Sequence, residues 1–162
     1  PQTAWVKSSV GPAGPAVART LRLSPRDKVV RIERLRLLDG RPFALMSNVL
    51  ALRLAPTLAA GAYASGSFYA WLAQHHGLRP VNADEEVEAR TATASERKLF
   101  GAGTRVVMVV RGVAYLPDGS PLDLAETVAP ADRYRYRVNV AKGPTRTRVP
   151  TAGPLPDPRG TP

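Results

Sequence analysis

The sequence predicts an α+β domain, a mostly antiparallel sheet flanked by short helices, and three observations predict it. Asp39-Gly40 separates two runs rich in Val, Ile and Leu, and this pair suits the tight turn of a hairpin. Pro117-Asp118-Gly119 turns the chain in the same way between the apolar runs 105–115 and 121–129. Between the two hairpins, Phe68, Trp71, Leu72 and His75 recur at i, i+3, i+4 and i+7, which places them on one face of a helix.

Each element follows in order. Val17, Leu21 and Leu23 among small residues predict a short helix over 15–23, ending before Ser24 and Pro25. Residues 28–38 and 42–50 form the first hairpin. Pro56 opens a helical turn over 56–60, and small residues make 61–66 a loop. Ser67 caps the next helix, which Gly77 stops. The stretch 81–92 is acidic and then β-like. Thr93-Ala94-Ser95-Glu96 is a capping box, because the Thr93 hydroxyl can accept from the Glu96 amide while the Glu96 carboxylate accepts from the Thr93 amide. A short helix to Phe100, closed by Gly101, follows. The continuous run Val106 to Val110 reads as a strand covered on both faces or central in the sheet. Finally, Tyr134, Tyr136, Val138 and Val140 alternate with arginines, a period-two strand with one wet face.

With 162 residues, 44% apolar and 22% charged, the chain has the size and composition of one folded domain. The net charge of +10 sits on its flanks: residues 1–32 hold six Lys/Arg and one Asp, residues 133–162 seven and one, and the hundred between them ten basic and eleven acidic. A DNA-reading domain would carry its positive stripe on its regular elements, so the flanks read as solvated ends, with nucleic-acid binding through them as the alternative. From Gly143 to Pro162 nine of twenty residues are Gly or Pro, which predicts a disordered or extended tail over 142–162. No apolar run approaches the ~20 residues that cross a bilayer, and the first residues lack the order of a signal peptide, so a cytoplasmic location is expected. With no cysteine there is no disulfide framework and no thiolate nucleophile. Neither a Ser-His-Asp set, metal spacing nor a phosphate loop is present, and the adjacent His75 and His76 fit the end of a helix better than a base or a metal site. No enzyme and no cofactor are expected.

The residues Arg34 and Arg36 stand two apart on a strand, so both guanidinium groups point to one face and can converge on an anion such as phosphate, phosphonate or carboxylate. Ser67 and Tyr69 stand at a helix N-terminus, where free amides and the dipole favour the same charge. The plainer alternative leaves the arginines solvated or paired with Glu33 or Glu88, and Ser67 only as a cap.

Several stretches, taken in order, carry a family resemblance: Leu21 to Val29 (LRLSPRDKV), Arg34-Leu35-Arg36 with Asp39-Gly40-Arg41-Pro42, Gly66-Ser67-Phe68-Tyr69, Glu88-Ala89-Arg90, the strand with Arg111, Asp118-Gly119-Ser120-Pro121, and Ala131-Asp132-Arg133-Tyr134. The chain from about Arg19 to Val140 resembles the UTRA effector-binding domain of GntR-type regulators in the HutC subfamily, with residues 1–18 as a linker or the start of the domain. The resemblance implies a fold similar to chorismate lyase, used for ligand sensing instead of catalysis, although a chorismate-lyase-like enzyme stays the alternative that the shared fold allows. It further implies a homodimer that senses a small anionic metabolite and controls operator binding through a winged helix-turn-helix, a domain for which this sequence has no counterpart. In family members that bind sugar phosphates, the positions matching Arg34, Arg36, Ser67 and Tyr69 hold the phosphate. Asp123 matches a carboxylate that contacts the ligand's polar end, a role open to Glu126 as well, and Glu88 belongs to the candidate set. Two departures count against amino-sugar recognition: Met46 stands where many members have Glu, leaving a more apolar pocket wall, and Ala129 stands where sugar-binding members have Tyr.

Overall fold

The computed structural model describes residues 2–137 and 154–159. Six strands build one sheet in the order β1-β2-β3-β6-β5-β4, with every neighbouring pair antiparallel. The strands are β1 (Gln2–Pro12), β2 (Lys28–Leu38), β3 (Arg41–Ala51), β4 (Asn82–Thr91), β5 (Val106–Tyr115) and β6 (Pro121–Pro130). The helices are α1 (Gly14–Leu21), α2 (Phe68–His76) and α3 (Ala94–Phe100).

Local chemistry explains most of these elements. Asp39 (φ 50°) and Gly40 (φ 74°) both lie in the left-handed region, which gives the β2–β3 turn the twist its strands require. Ser67 accepts the Ala70 amide at 3.3 Å to open α2, and Gly77 at φ 67° closes it. The capping box of α3 is complete: Glu96 N donates to Thr93 Oγ1 at 3.2 Å, and Thr93 N donates to Glu96 Oε2 at 2.8 Å.

Alternation along the strands gives the sheet two faces. On one, Val30, Ile32 and Leu50 pack with Leu58, Tyr63, Phe68 and Leu72 under α2. On the other, α1 buries Val17, Ala18 and Leu21 against Val29, Val49, Val113 and Leu124, and α3 seats Phe100 against Leu35, Leu45, Val107 and Val128. Removing side chains of this size from water stabilises the fold by about 1.5–3 kcal/mol each.

The structure adds to the sequence reading in one place and departs from it in two. Residues read as a linker or domain start form β1, an edge strand that pairs with β2 from Gln2↔Leu37 to Pro12↔Lys28. Its residues are mostly exposed, so backbone pairing defines this strand and little apolar alternation signals it. The strand expected over 134–140 is not formed across 134–137, since Arg133 N and Tyr134 N both bond to Pro130 O and turn the chain away at the end of β6; residues 138–140 lie outside the described residues. Of the tail expected over 142–162, residues 154–159 lie against the sheet with Pro158 buried, because Arg31 and Glu126 supply partners there; residues 142–153 and 160–162 lie outside the described residues.

Candidate functional site

Register fixes which side chains share a face. Arg34 stands opposite Met46 and Arg36 opposite Ala44 on β3, while Leu50 stands opposite Asp123 on β6. Arg34, Arg36, Met46, Asn48 and Asp123 therefore occupy the α2 face of the sheet.

Arg34 is 6% exposed. Its Nη2 donates to Asn48 Oδ1 at 2.6 Å, its Nη1 to the Tyr63 hydroxyl at 3.3 Å, and its guanidinium carbon lies 5.0 Å from the centre of the Phe68 ring. Its Nε is buried and meets no hydrogen-bond acceptor among the described residues. Arg36 Nη1 donates to Thr3 Oγ1 at 3.0 Å and to Gly66 O at 3.1 Å. Tyr63 closes the arrangement, because its hydroxyl also donates to Gly66 O at 2.9 Å. Both arginines are thus tied to the turn that delivers Ser67 and the first turn of α2.

Asp123 is fully buried beside them. Asn48 Nδ2 donates to its Oδ2 at 2.5 Å, and the Tyr69 hydroxyl reaches its two oxygens at 3.2 and 3.3 Å. Burial pushes the Asp123 carboxyl up to about 6, against the opposing pull of the Asn48 and Tyr69 hydrogen bonds and the Arg34 charge. Burial and the Asp123 charge raise the Tyr69 hydroxyl, which stays a protonated donor.

The structure brings together Arg34, Arg36, Met46, Ser67, Tyr69 and Asp123, but not Glu88. Glu88 stands opposite Val109, in the row of Val128, Leu45 and Leu35, and so belongs to the α1/α3 face. There Arg111 bridges Glu88 at 3.3 Å and Glu126 at 2.6 Å. Glu126 shares that face and not the face of Asp123. The role of Ser67 as a helix cap is realised directly. His75 Nδ1 lies 2.9 Å from Trp71 O with its ring stacked on the indole, and His76 Nε2 lies 2.8 Å from Thr57 Oγ1, so both histidines serve α2. No cluster of three or more His, Cys, Asp or Glu suited to a metal occurs among the described residues, and none of their helices is long and apolar enough to cross a membrane.

Sequence reasoning missed Asn48, Tyr63 and Thr3. Asn48 carried a usable signal, a lone amide in the apolar run Leu45 to Leu50 at the same strand parity as Met46. Tyr63 was also visible as the sole aromatic in a loop of small residues. Thr3 acts from the edge strand that left no pattern.

The chain has relatives in sequence and in fold. The chain is 27% identical over 107 residues to the HTH-type transcriptional repressor NagR of Bacillus subtilis (strain 168), a match covering 65% of this chain and 44% of that protein, so the chain spans less than half of the repressor's length. The crystal structure of PhnF from Mycobacterium smegmatis superposes with a TM-score of 0.79 at 22% identity, covering 87% of this chain and 63% of that one. The effector binding domain of the B. subtilis trehalose repressor, TreR, superposes with a TM-score of 0.74 at 24% identity, covering 88% and 99%. These structures share the α+β fold. The model of the UTRA domain matches residues 1–135, and the chain belongs to that family.

Proposed function

We propose that this chain is the effector-sensing domain of a GntR-family transcription regulator of the HutC subfamily, and that it binds a small anionic metabolite on the α2 face of its sheet. One observation carries the reading: Arg34 is a buried cation with a spare Nε donor, standing two residues from Arg36 beside the N-terminus of α2. An anion there would meet two guanidinium groups, the hydroxyls of Ser67 and Tyr69 and the positive end of a helix, in surroundings that screen charge poorly. Met46 and Phe68 would line the ligand's less polar side. The ligand would control operator binding by a winged helix-turn-helix elsewhere in the protein, working as a cytoplasmic homodimer. NagR, PhnF and TreR are compatible company for this reading.

A thermal-shift series with phosphorylated and phosphonate metabolites tests it. A true effector at ~100 times its Kd stabilises the fold by about 2.7 kcal/mol, and Arg36→Ala removes the shift. A stabiliser equally effective on Arg36→Ala would bind elsewhere and defeat the assignment.

A further inference from the structure

On the sheet face opposite Arg34, a hollow of about 290 Å³ opens between β1, β2 and β3, lined by Lys7, Ser9, Arg31, Glu33 and Ser47 and walled on one side by Pro158 and Arg159. The segment Leu155 to Arg159 is anchored along its length. Leu155 packs with the α1 cluster while its amide donates to Glu86 Oε1 at 2.8 Å. Arg31 Nε donates to Pro158 O at 3.2 Å. Arg159 Nη2 lies 2.8 Å from Oε1 of Glu126, a residue 1% exposed, and its backbone and side chain both bond to Asp157.

Chemistry explains why such a segment seats here. Glu126 is a carboxylate in the middle of a sheet, and Arg111, its other partner, is shared with Glu88. A buried charge left short of partners is costly, so a second guanidinium is strongly favoured at this point. Pro156 and Pro158 fix two φ angles beforehand, which lowers the ordering entropy of docking an extended segment. Asp157 accepts from the Arg159 backbone amide, Nε and Nη2 and so orients the guanidinium beside Glu126.

We propose that this face is a docking groove for an arginine-bearing, proline-rich peptide segment, and that the chain's own residues 155–159 occupy it in cis as a latch, with Glu126 as the buried counter-charge of Arg159. The latch covers the sheet on the side away from the effector face, and β3 and β6 join the two: Asn48 and Asp123 face one side, Ser47 and Glu126 the other.

Trypsin reads the latch in the full chain, because Arg159-Gly160 is a cleavable bond that must leave Glu126 before the protease can take the arginine. The initial rate of cleavage at this bond, followed by mass spectrometry, is expected to be about tenfold or more below that of a free peptide of residues 154–162, since cutting tracks the opened population. Glu126→Gln and, without touching the buried carboxylate, Arg31→Ala should each raise the rate toward that of the peptide while circular dichroism stays native. Cleavage of the folded wild-type chain as fast as the peptide would overturn the proposal. So would protection that disappears on dilution, which would assign the groove to the segment of a second copy.

Discussion

Arg34 reaches Asp123 through the side-chain amide of Asn48, whose Oδ1 accepts from the guanidinium at 2.6 Å and whose Nδ2 donates to the carboxyl at 2.5 Å. One amide thus uses both of its ends to join a buried cation to a buried acid. Asn48→Ala removes the acceptor of Arg34 Nη2 and the shorter hydrogen bond to Asp123, leaving Arg34 with Tyr63 and Asp123 with Tyr69, and the loss is expected to be about 2–4 kcal/mol in total. Urea unfolding at pH 7 checks this, and a loss below 1 kcal/mol would mean that water or rearrangement replaces the relay easily.

The protonation of Asp123 gives the fold a pH signature. Its carboxyl is raised to about 6 in the folded chain, above its ordinary value, so the folded state holds this proton more tightly than the unfolded state does. The stabilisation from this group is complete below about pH 4 and is lost as pH rises through about 6. Asp123→Asn should therefore flatten the dependence of stability on pH between 4 and 6. An unchanged slope in that window would place the titration on another group.

Glu96 has the opposite sign. Burial pushes its carboxyl up, but hydrogen bonds from Arg90 at 2.7 and 2.8 Å and from Thr93 outweigh that effect and hold it down at about 2. Its stabilisation is present above about pH 4.5 and is lost as pH falls toward 2. Thr93→Ala removes one half of the capping box and should cost about 1 kcal/mol at pH 7. Glu96→Gln should remove the acid-side loss. If acid unfolding below pH 4 were identical in Glu96→Gln and wild type, the Arg90–Glu96 pair would not be its source.

The hairpins, the three helices and the two arginines were legible in the sequence because each rests on local rules: a left-handed Asp-Gly turn, capping hydroxyls and the parity of a strand. What escaped depended on partners far along the chain. β1 exists through its backbone pairing with β2, and its side chains, mostly exposed, leave no alternation to read. Glu88 followed a local motif, but its face was decided by register across β4, β5 and β6, which spacing along one strand does not reveal. Arg159 belongs to a Gly/Pro-rich stretch whose composition implies no core, yet a single buried acid, Glu126, gives it a seat.

For the anion site proposed above, Tyr63 offers the sharpest separation of binding from folding. Its hydroxyl accepts from Arg34 and donates to Gly66 O, the carbonyl that also receives Arg36, so it sets the distance between the two arginines and the start of α2. Its ring packs edge-on to Phe68 and Trp71, 5.4 and 5.9 Å between centres, and this packing survives in Tyr63→Phe. The variant keeps the aromatic core and loses only the hydroxyl with its two hydrogen bonds, one of them from a buried guanidinium, so its stability should fall by about 1–3 kcal/mol. Affinity for the proposed anion should fall as well, by about tenfold or 1.4 kcal/mol, because Arg34 and Arg36 would then enter the bound geometry without prior alignment. Calorimetric titration with the stabilising anion, set beside urea unfolding of the same variant, measures both. Equal affinity in Tyr63→Phe and wild type would show that the arginines are positioned without this hydroxyl, and the gripping of the anion would then have to be sought in Arg36 and the α2 terminus alone.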